Sequence, residues 1–130
     1  AGLAALHALR PDMDALGALA TAHGLRGTCV VSRETAEPGS RTHCRFFAPH
    51  YGVPEDIVTG SVHSPLALWL AEAGALPAAD GRITFTAEQG DSMGRPGRLQ
   101  IDVEGAGTAK PRVRVGGTAI TVLKGTLHLA

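Results

Sequence analysis

Four side chains that could bind a carboxylic acid or transfer a proton lie close together near the middle of the chain: Asp56, Thr59, Ser61 and His63. Gly60 separates the two hydroxyl residues, so the backbone there is open to close approach by a ligand. Carboxylate and imidazole groups are common proton donors and acceptors in catalysis. The spacing therefore points to a turn that could hold a small anion and move a proton.

The residues after this turn predict the helix that positions it. Apolar side chains in residues 62–73 occupy every side of the helical wheel, which predicts a helix buried all round, with Trp69 in the core. Proline is tolerated in the first turn of a helix, so Pro65 predicts a start at residues 61–64. Gly74 supplies the C-terminal stop.

The N-terminus of such a helix can bind an anion, because its first four N–H groups lack partners within the helix and carry about half a positive charge. A carboxylate suits the turn better than a phosphate, since the lysine and spacing of a P-loop are absent. Asp56 could contact the substrate or act as a cap. In the structural alternative, Thr59 and Ser61 cap the helix and Gly60 only allows the turn.

His63 would lie in the first helical turn, where the helix dipole lowers the pKa of the imidazole and keeps it neutral at pH 7. A neutral ring suits hydrogen bonding or proton transfer. The alternative, which the local pattern favours, is a partly buried histidine that is hydrogen-bonded to the backbone. Glu55 is expected to face water.

The remaining elements predict strands around this helix. Leucine spacing on both sides of Pro11 predicts two short helices that end at Gly24, with Asp12 near the start of the second as a cap. Alternating and β-branched segments predict a hairpin turn at Gly116-Gly117 and strands at residues 28–32, 41–48, 82–87, 97–104, 112–115, 118–123 and 126–129. We expect a single α+β domain over residues 1–130, with a curved, barrel-like and mostly antiparallel sheet around the central buried helix.

Composition and charge argue against several classes of protein. The chain has 12 Lys and Arg and 12 Asp and Glu, mixed along its length, so nucleic-acid binding is not expected. The longest apolar run, residues 65–71, is too short to cross a membrane, and no signal-peptide pattern is seen, so we expect a cytoplasmic protein. The six histidines have no metal-ligand spacing, and no metal is expected. Without a Cys-x-x-Cys spacing, free thiols at Cys29 and Cys44 are favoured over a disulfide.

Several short motifs recur in a recognisable order. Phe47-Ala48-Pro49 is an aromatic-x-Pro segment, and residues 55–62 read E-D-I-V-T-G-S-V. Gln89-Gly90 and residues 95–99, R-P-G-R-L, follow, and residues 115–129 form a closing apolar segment. Together these motifs resemble the PhzF family of phenazine-biosynthesis-like isomerases, in which the second motif usually ends in alanine where this chain has Val62.

This resemblance implies a fold like that of diaminopimelate epimerase, with two similar lobes and an active site between them; the chain corresponds to the C-terminal lobe. It implies that Asp56 holds or protonates the substrate and that the backbone of Gly60 and Ser61 binds its carboxylate, without a cofactor. The acid/base glutamate of the family belongs to the other lobe. Ser61 stands where racemases of this fold have a cysteine base, so racemisation by two thiols is not expected.

Two functions are therefore considered. In the first, the chain is one lobe of an isomerase that shifts a proton in a small unsaturated or cyclic carboxylic acid; Asp56 and His63 are catalytic, Thr59, Gly60 and Ser61 bind substrate, and the isolated chain is inactive. In the second, the chain is a non-catalytic, stand-alone carboxylate-binding or dimerisation module. The expected partner is the missing N-terminal lobe or a second copy of the chain, with a dimer as the assembly.

Overall fold

Alternating apolar side chains build one mixed sheet. In the computed structural model, which describes residues 2–128, the strands are β1 (Thr28–Ser32), β2 (Ser40–Ala48), β3 (Val53–Asp56), β4 (Arg82–Gln89), β5 (Gly97–Glu104) and β6 (Arg112–Gly116). Their order is β1-β2-β4-β5-β6, and β3 pairs with β2. The pairing of β2 with β4 is parallel and the other pairings of these strands are antiparallel, which agrees with the predicted α+β class and mostly antiparallel sheet.

Three α-helices accompany the sheet: α1 (Leu3–Ala8), α2 (Met13–His23) and α3 (Gly60–Glu72). The side chain of Asp12 caps α2 by accepting the N–H of Ala15 at 2.9 Å, and Gly24 ends the helix in a left-handed conformation. The predicted cap and stop of this helix are thus confirmed. None of the helices in residues 2–128 is long and apolar enough to cross a membrane.

The core lies between α3 and one face of the sheet. Leu66, Ala67 and Leu70 of the helix meet the inward side chains of two strands, Ile83, Phe85 and Ala87 on β4 and Leu99, Ile101 and Val103 on β5. The inward residues recur at every second position, as the pleat of a strand requires. This packing fixes the position of α3 relative to the ends of β4 and β5.

Two predictions about α3 are wrong. The helix begins at Gly60, so Pro65 lies inside it rather than in its first turn. Trp69 is 58% exposed, so the helix is not buried all round. The reason is that α3 packs on the sheet with one face only, and within this chain no second layer covers the opposite face of the described helix.

The C-terminal segment also departs from prediction. Residues 117–128 contain no strand, so the strands predicted at 118–123 and 126–128 and the Gly116-Gly117 hairpin do not form; Leu129 lies outside the described residues. Without these strands, the six that are described form an open sheet rather than the expected barrel, because no pairing joins β1 to β6. Strand β3 was not predicted because Pro54 and two acids interrupt its apolar pattern.

Candidate functional site

The predicted turn connects β3 to α3, so the sheet holds Asp56 and the helix holds Ser61. Asp56 is the last residue of β3 and pairs with Phe46 of β2. Thr59 occupies the N-cap position, but its hydroxyl donates to Oδ2 of Asp56 at 2.6 Å and does not cap the helix. The prediction that Thr59 is a side-chain cap is therefore wrong, and the hydroxyl is a partner of the carboxylate instead.

Asp56 and Ser61 line the same pocket, which has a volume of about 370 Å³. Its other lining residues are aromatic, apolar or cationic: Arg26, Phe46, Ala48, Tyr51 and Val53. The guanidinium of Arg26 lies 5.7 Å from the centre of the Tyr51 ring, within the range of a cation–π contact. The pocket thus has apolar walls against which a ring can pack. It also presents one cation, one hydroxyl and one carboxylate.

Gly60 faces a neighbouring pocket of about 400 Å³, which also contacts Pro96, Gly97 and Arg98. No atom lies within 4 Å of the position that a Cβ at residue 60 would occupy. The Thr-Gly-Ser turn therefore borders both pockets, and its backbone is open at Gly60.

A buried glutamine holds this turn in place. Gln89, at the end of β4, is fully buried. Its Oε1 accepts the backbone N–H of Thr59 at 3.1 Å and faces Nε2 of His63 at 3.3 Å. Its Nε2 donates to the backbone carbonyl of Asp56 at 2.8 Å and to Oγ1 of Thr59 at 3.0 Å. One side chain thus joins both ends of the turn to the sheet.

His63 lies behind the turn and is only 1% exposed. It does not line the pocket that Asp56 and Ser61 share; its Nε2 faces Gln89 and lies 3.8 Å from Sγ of Cys44. Burial lowers the pKa of His63, and the hydrogen bond to Gln89 opposes this only in part. The ring is neutral at pH 7, as predicted, but through burial; proton transfer by His63 stays a prediction.

Glu55 does not face water, contrary to prediction. Both of its carboxylate oxygens accept from the guanidinium of Arg45 at 2.8 Å. Arg45 is buried and also donates to the backbone carbonyls of Leu6 and Leu9 at 3.0 Å. This bidentate ion pair connects β3 to β2 and, through Arg45, to α1. It fixes the position of Glu55, the residue before Asp56.

Glu88 anchors the end of β4 from the opposite side of the sheet. It is fully buried, and its oxygens accept the N–H groups of Ala36 and Glu37 at 2.7 and 2.8 Å and contact Nδ1 of His43 at 2.7 Å. Burial alone would raise the pKa of Glu88, but the backbone hydrogen bonds from Ala36 and Glu37 hold it below its ordinary value. These contacts fix the position of the adjacent Gln89.

Neither thiol lines the pocket that Asp56 and Ser61 share. Cys29 and Cys44 are both free, which confirms the prediction from their spacing. The hydrogen bond with Cys29, together with burial, raises the pKa of the Cys44 thiol, so Cys44 is not a thiolate at neutral pH. Across residues 2–128, no three His, Cys, Asp or Glu side chains are arranged to hold a metal ion.

Sequence reasoning gave no role to Gln89 or to the pocket residue Arg26, and for Phe46 and Tyr51 it left open whether they line a cleft or fill the core; both line the pocket. A signal for Gln89 does exist: it follows Ile83, Phe85 and Ala87 at every second position of β4 and so continues the core-facing row. A polar residue in that row must find buried partners. Which partners these are depends on the distant turn at residues 56–59.

Comparison with known proteins agrees with this fold. A family model described as phenazine biosynthesis-like protein matches residues 2–125. A trans-2,3-dihydro-3-hydroxyanthranilate isomerase of Pseudomonas chlororaphis is 37% identical over 131 residues, covering 98% of this chain and 42% of the relative. An uncharacterized isomerase of Deinococcus radiodurans is 37% identical over 122 residues, covering 92% of this chain and 38% of the relative.

A solved structure has the same fold. The phenazine biosynthesis protein of Bacillus anthracis, of the PhzF family, superposes with a TM-score of 0.76 at 20% identity, covering 91% of this chain and 40% of that one. The chain spans about two fifths of the length of these relatives. By the match of the family model and the identity to these isomerases, the chain belongs to the phenazine biosynthesis-like (PhzC-PhzF) family.

Proposed function

We propose that this chain is one lobe, the C-terminal one, of a PhzF-family isomerase that shifts a proton in a small unsaturated or cyclic carboxylic acid. The observation that carries the proposal is the position of Asp56 and Ser61 on one pocket at the start of α3, with Asp56 held by Thr59. The isomerase names of its relatives support the reaction class.

The substrate carboxylate would bind at the N-terminus of α3. The Thr59 side chain does not cap this end of the helix, Gly60 leaves the backbone open, and the exposed Ser61 can add a hydroxyl donor. Backbone N–H groups and the helix dipole together favour an anion there. The ring of the substrate would lie against Phe46 and Tyr51.

Asp56 would exchange the proton with the substrate. Of its two carboxylate oxygens, Oδ2 accepts the bond from Thr59, and no hydrogen bond from residues 2–128 reaches Oδ1. An oxygen free of protein donors can take up or return a proton. The second acid/base group would come from the other lobe. Because His63 is buried away from the pocket, its part in this proposal is to support Gln89.

A second candidate function is a non-catalytic carboxylate-binding or dimerisation module. Exposed apolar side chains favour it: Trp69 is 58% exposed, Ile120 88% and Val122 92%. Large apolar surface of this kind is usually covered by a partner. Under either function we propose that the partner is the remaining part of a longer protein or a second copy of the chain, with a dimer or two-lobed arrangement as the result.

The test uses the intact protein that carries this chain, incubated in D₂O with trans-2,3-dihydro-3-hydroxyanthranilate, the compound named for its relatives. We expect isomerisation with incorporation of deuterium, and a rate at least about 100-fold lower in Asp56→Asn. Asp80→Asn, a change at an exposed loop residue, is the matched control and should leave the rate unchanged. The isolated 130-residue chain should be inactive.

Turnover that survives Asp56→Asn would refute the proposed role of Asp56. Saturable binding of the compound without turnover by the intact protein would instead support the binding module.

A further inference from the structure

The donor and the acceptor in each hydrogen bond of the turn can be assigned, because the backbone groups that take part have fixed roles. The backbone N–H of Thr59 can only donate, and the backbone carbonyl of Asp56 can only accept. Gln89 contacts both, at 3.1 and 2.8 Å. Its amide must therefore present Oε1 to Thr59 and Nε2 to Asp56, because the flipped amide would place two donors and two acceptors face to face.

This orientation determines the role of the Thr59 hydroxyl. Nε2 of Gln89 also lies 3.0 Å from Oγ1 of Thr59, so the hydroxyl oxygen accepts there. The single hydroxyl proton is then free to donate to Oδ2 of Asp56, at 2.6 Å. The bonds run in one direction, from Gln89 to Thr59 to Asp56.

The same orientation assigns the tautomer of His63. Nε2 of His63 faces Oε1 of Gln89, which can only accept, so the ring proton resides on Nε2. Nδ1 is then the unprotonated acceptor nitrogen; it is buried and has no hydrogen-bond partner in the described part of the chain. The tautomer of His63 is thus consistent with the assigned orientation of the Gln89 amide.

We infer that Gln89 and Thr59 are positioning residues that hold Asp56 as a hydrogen-bond acceptor through Oδ2 and leave its Oδ1 for the substrate. The consequence for catalysis rests on the proposed function, in which Asp56 exchanges a proton with a carboxylic acid. Neither residue needs to touch the substrate: Thr59 and Gln89 are buried, and they act through the carboxylate. If Gln89 and Thr59 only held β3 against α3, their hydrogen bonds would not need to direct the Thr59 hydroxyl proton to Asp56.

The first test is independent of any substrate and uses nuclear magnetic resonance on the intact protein, labelled at glutamine side chains and histidine rings. We expect the Gln89 amide protons to exchange with water at least about tenfold more slowly than those of Gln100, an exposed glutamine that donates to Oγ1 of Thr86 on the same sheet. We also expect His63 to carry its proton on Nε2. Fast exchange at Gln89 or a proton on Nδ1 of His63 would overturn the inference.

The second test compares two variants of the hydroxyl at a single fixed pH of about 7. Thr59→Val removes the donor to Oδ2 of Asp56, so the carboxyl carbon of Asp56 should resonate at a different chemical shift from the wild type. Thr59→Ser keeps the donor and should restore the wild-type chemical shift. Thr86→Val removes a hydroxyl bonded to a glutamine but to no carboxylate, and should leave the Asp56 chemical shift unchanged. Equal chemical shifts in Thr59→Val and the wild type would refute the positioning role.

The kinetic test separates this inference from the proposed function. With trans-2,3-dihydro-3-hydroxyanthranilate, Thr59→Val should lower kcat about 10- to 100-fold with KM within about threefold, and Thr59→Ser should recover most of kcat. If the resonance results hold and the wild type turns over nothing, the proposed function fails and the assigned bonds stand. If turnover occurs and Thr59→Val keeps full kcat, the positioning role fails while the isomerase proposal stands.

Discussion

At the scale of a single residue, burial keeps the imidazole of His63 neutral, which the sequence attributed to the helix dipole. Its ring is enclosed between α3, β2 and the end of β4, with Nε2 directed at Gln89. Burial lowers the pKa of this imidazole, so the folded protein holds it neutral. The unfolded chain, in contrast, takes up a proton near the ordinary value of 6.5. This difference makes the stability of the fold depend on pH.

We predict that the free energy of unfolding falls as the pH is lowered from about 7.5 through 6.5, because in this window the unfolded chain binds a proton that the folded chain does not. The destabilisation by His63 is absent well above the pKa of the unfolded chain. It reaches its full size below the lowered pKa of the folded state. In His63→Gln this part of the slope should disappear, as measured by chemical denaturation at several pH values. His23→Gln, an exposed histidine of α2, is the control and should keep the wild-type slope; an unchanged slope in His63→Gln would contradict the prediction.

Residues whose partners are close in the chain were predictable, and those with distant partners were not. The cap of Asp12 on Ala15 follows from three neighbouring residues. Glu55 was expected to face water because its partner Arg45 lies on another strand, ten residues away in the sequence. Only the antiparallel pairing of β2 with β3 brings the two side chains together.

At the scale of the elements, α3 carries the candidate site at its N-terminus and contributes to the core along one face. The helix begins at Gly60 because Thr59 has an extended backbone, with φ −102° and ψ 90°; its N–H is bonded to Gln89 and its side chain to Asp56. The first helical residue is therefore Gly60, whose backbone is open to a ligand. The apolar pattern predicted the existence of this helix correctly, but not how much of it is buried.

We predict that Gly60→Ala leaves the fold intact but weakens substrate binding. The added Cβ atom at residue 60 has no neighbouring atom within 4 Å. The free energy of unfolding should therefore be unchanged or up to about 1 kcal/mol higher, since alanine is the better helix former. The same methyl group would obstruct the carboxylate of the proposed reaction and raise KM about tenfold, as expected for the loss of one hydrogen bond to a charged group.

Gly17→Ala in α2 is the matched control for that substitution. Its Cβ would meet His50 and Pro49 at ordinary distances of 3.8 Å, so it should stabilise the helix to a similar extent and leave KM unchanged. Equal KM values for the two variants would show that the space beside Gly60 does not receive the substrate.

At the scale of the whole molecule, large apolar side chains are exposed on α3 and on the segment that follows β6. Residues 117–128 contribute Ile120, Val122, Leu123 and Leu127, each more than 80% exposed, and α3 contributes Trp69. The family match extends through residue 125, so most of this segment belongs to the family domain. We expect such a surface to be covered by a partner, because exposed contiguous apolar area favours association.

We predict that the 130-residue chain self-associates when it is purified alone, and that Val122→Asp weakens this association at least about tenfold by placing a charge on an apolar contact surface. Thr121→Asp, at the neighbouring exposed position, should have a smaller effect. Sedimentation or native mass spectrometry over a range of concentrations measures both. A chain that stays monomeric, or variants that associate equally, would argue against residues 117–128 as a contact surface.

The sequence by itself determined the family and the α+β class. The E-D-x-V-T-G-S motif, strands 28–32 and 97–104 and the helix after residue 59 depend on local periodicity and on short motifs that neighbouring residues complete. The tertiary structure alone decided the partners of the turn. Gln89 reaches Thr59 across 30 residues of sequence, and the parallel register that pairs Gln89 with Cys44 brings His63 beside both. The extent of the sheet and the exposure of Trp69 likewise depend on which surfaces meet, since long-range packing decides burial and local pattern does not.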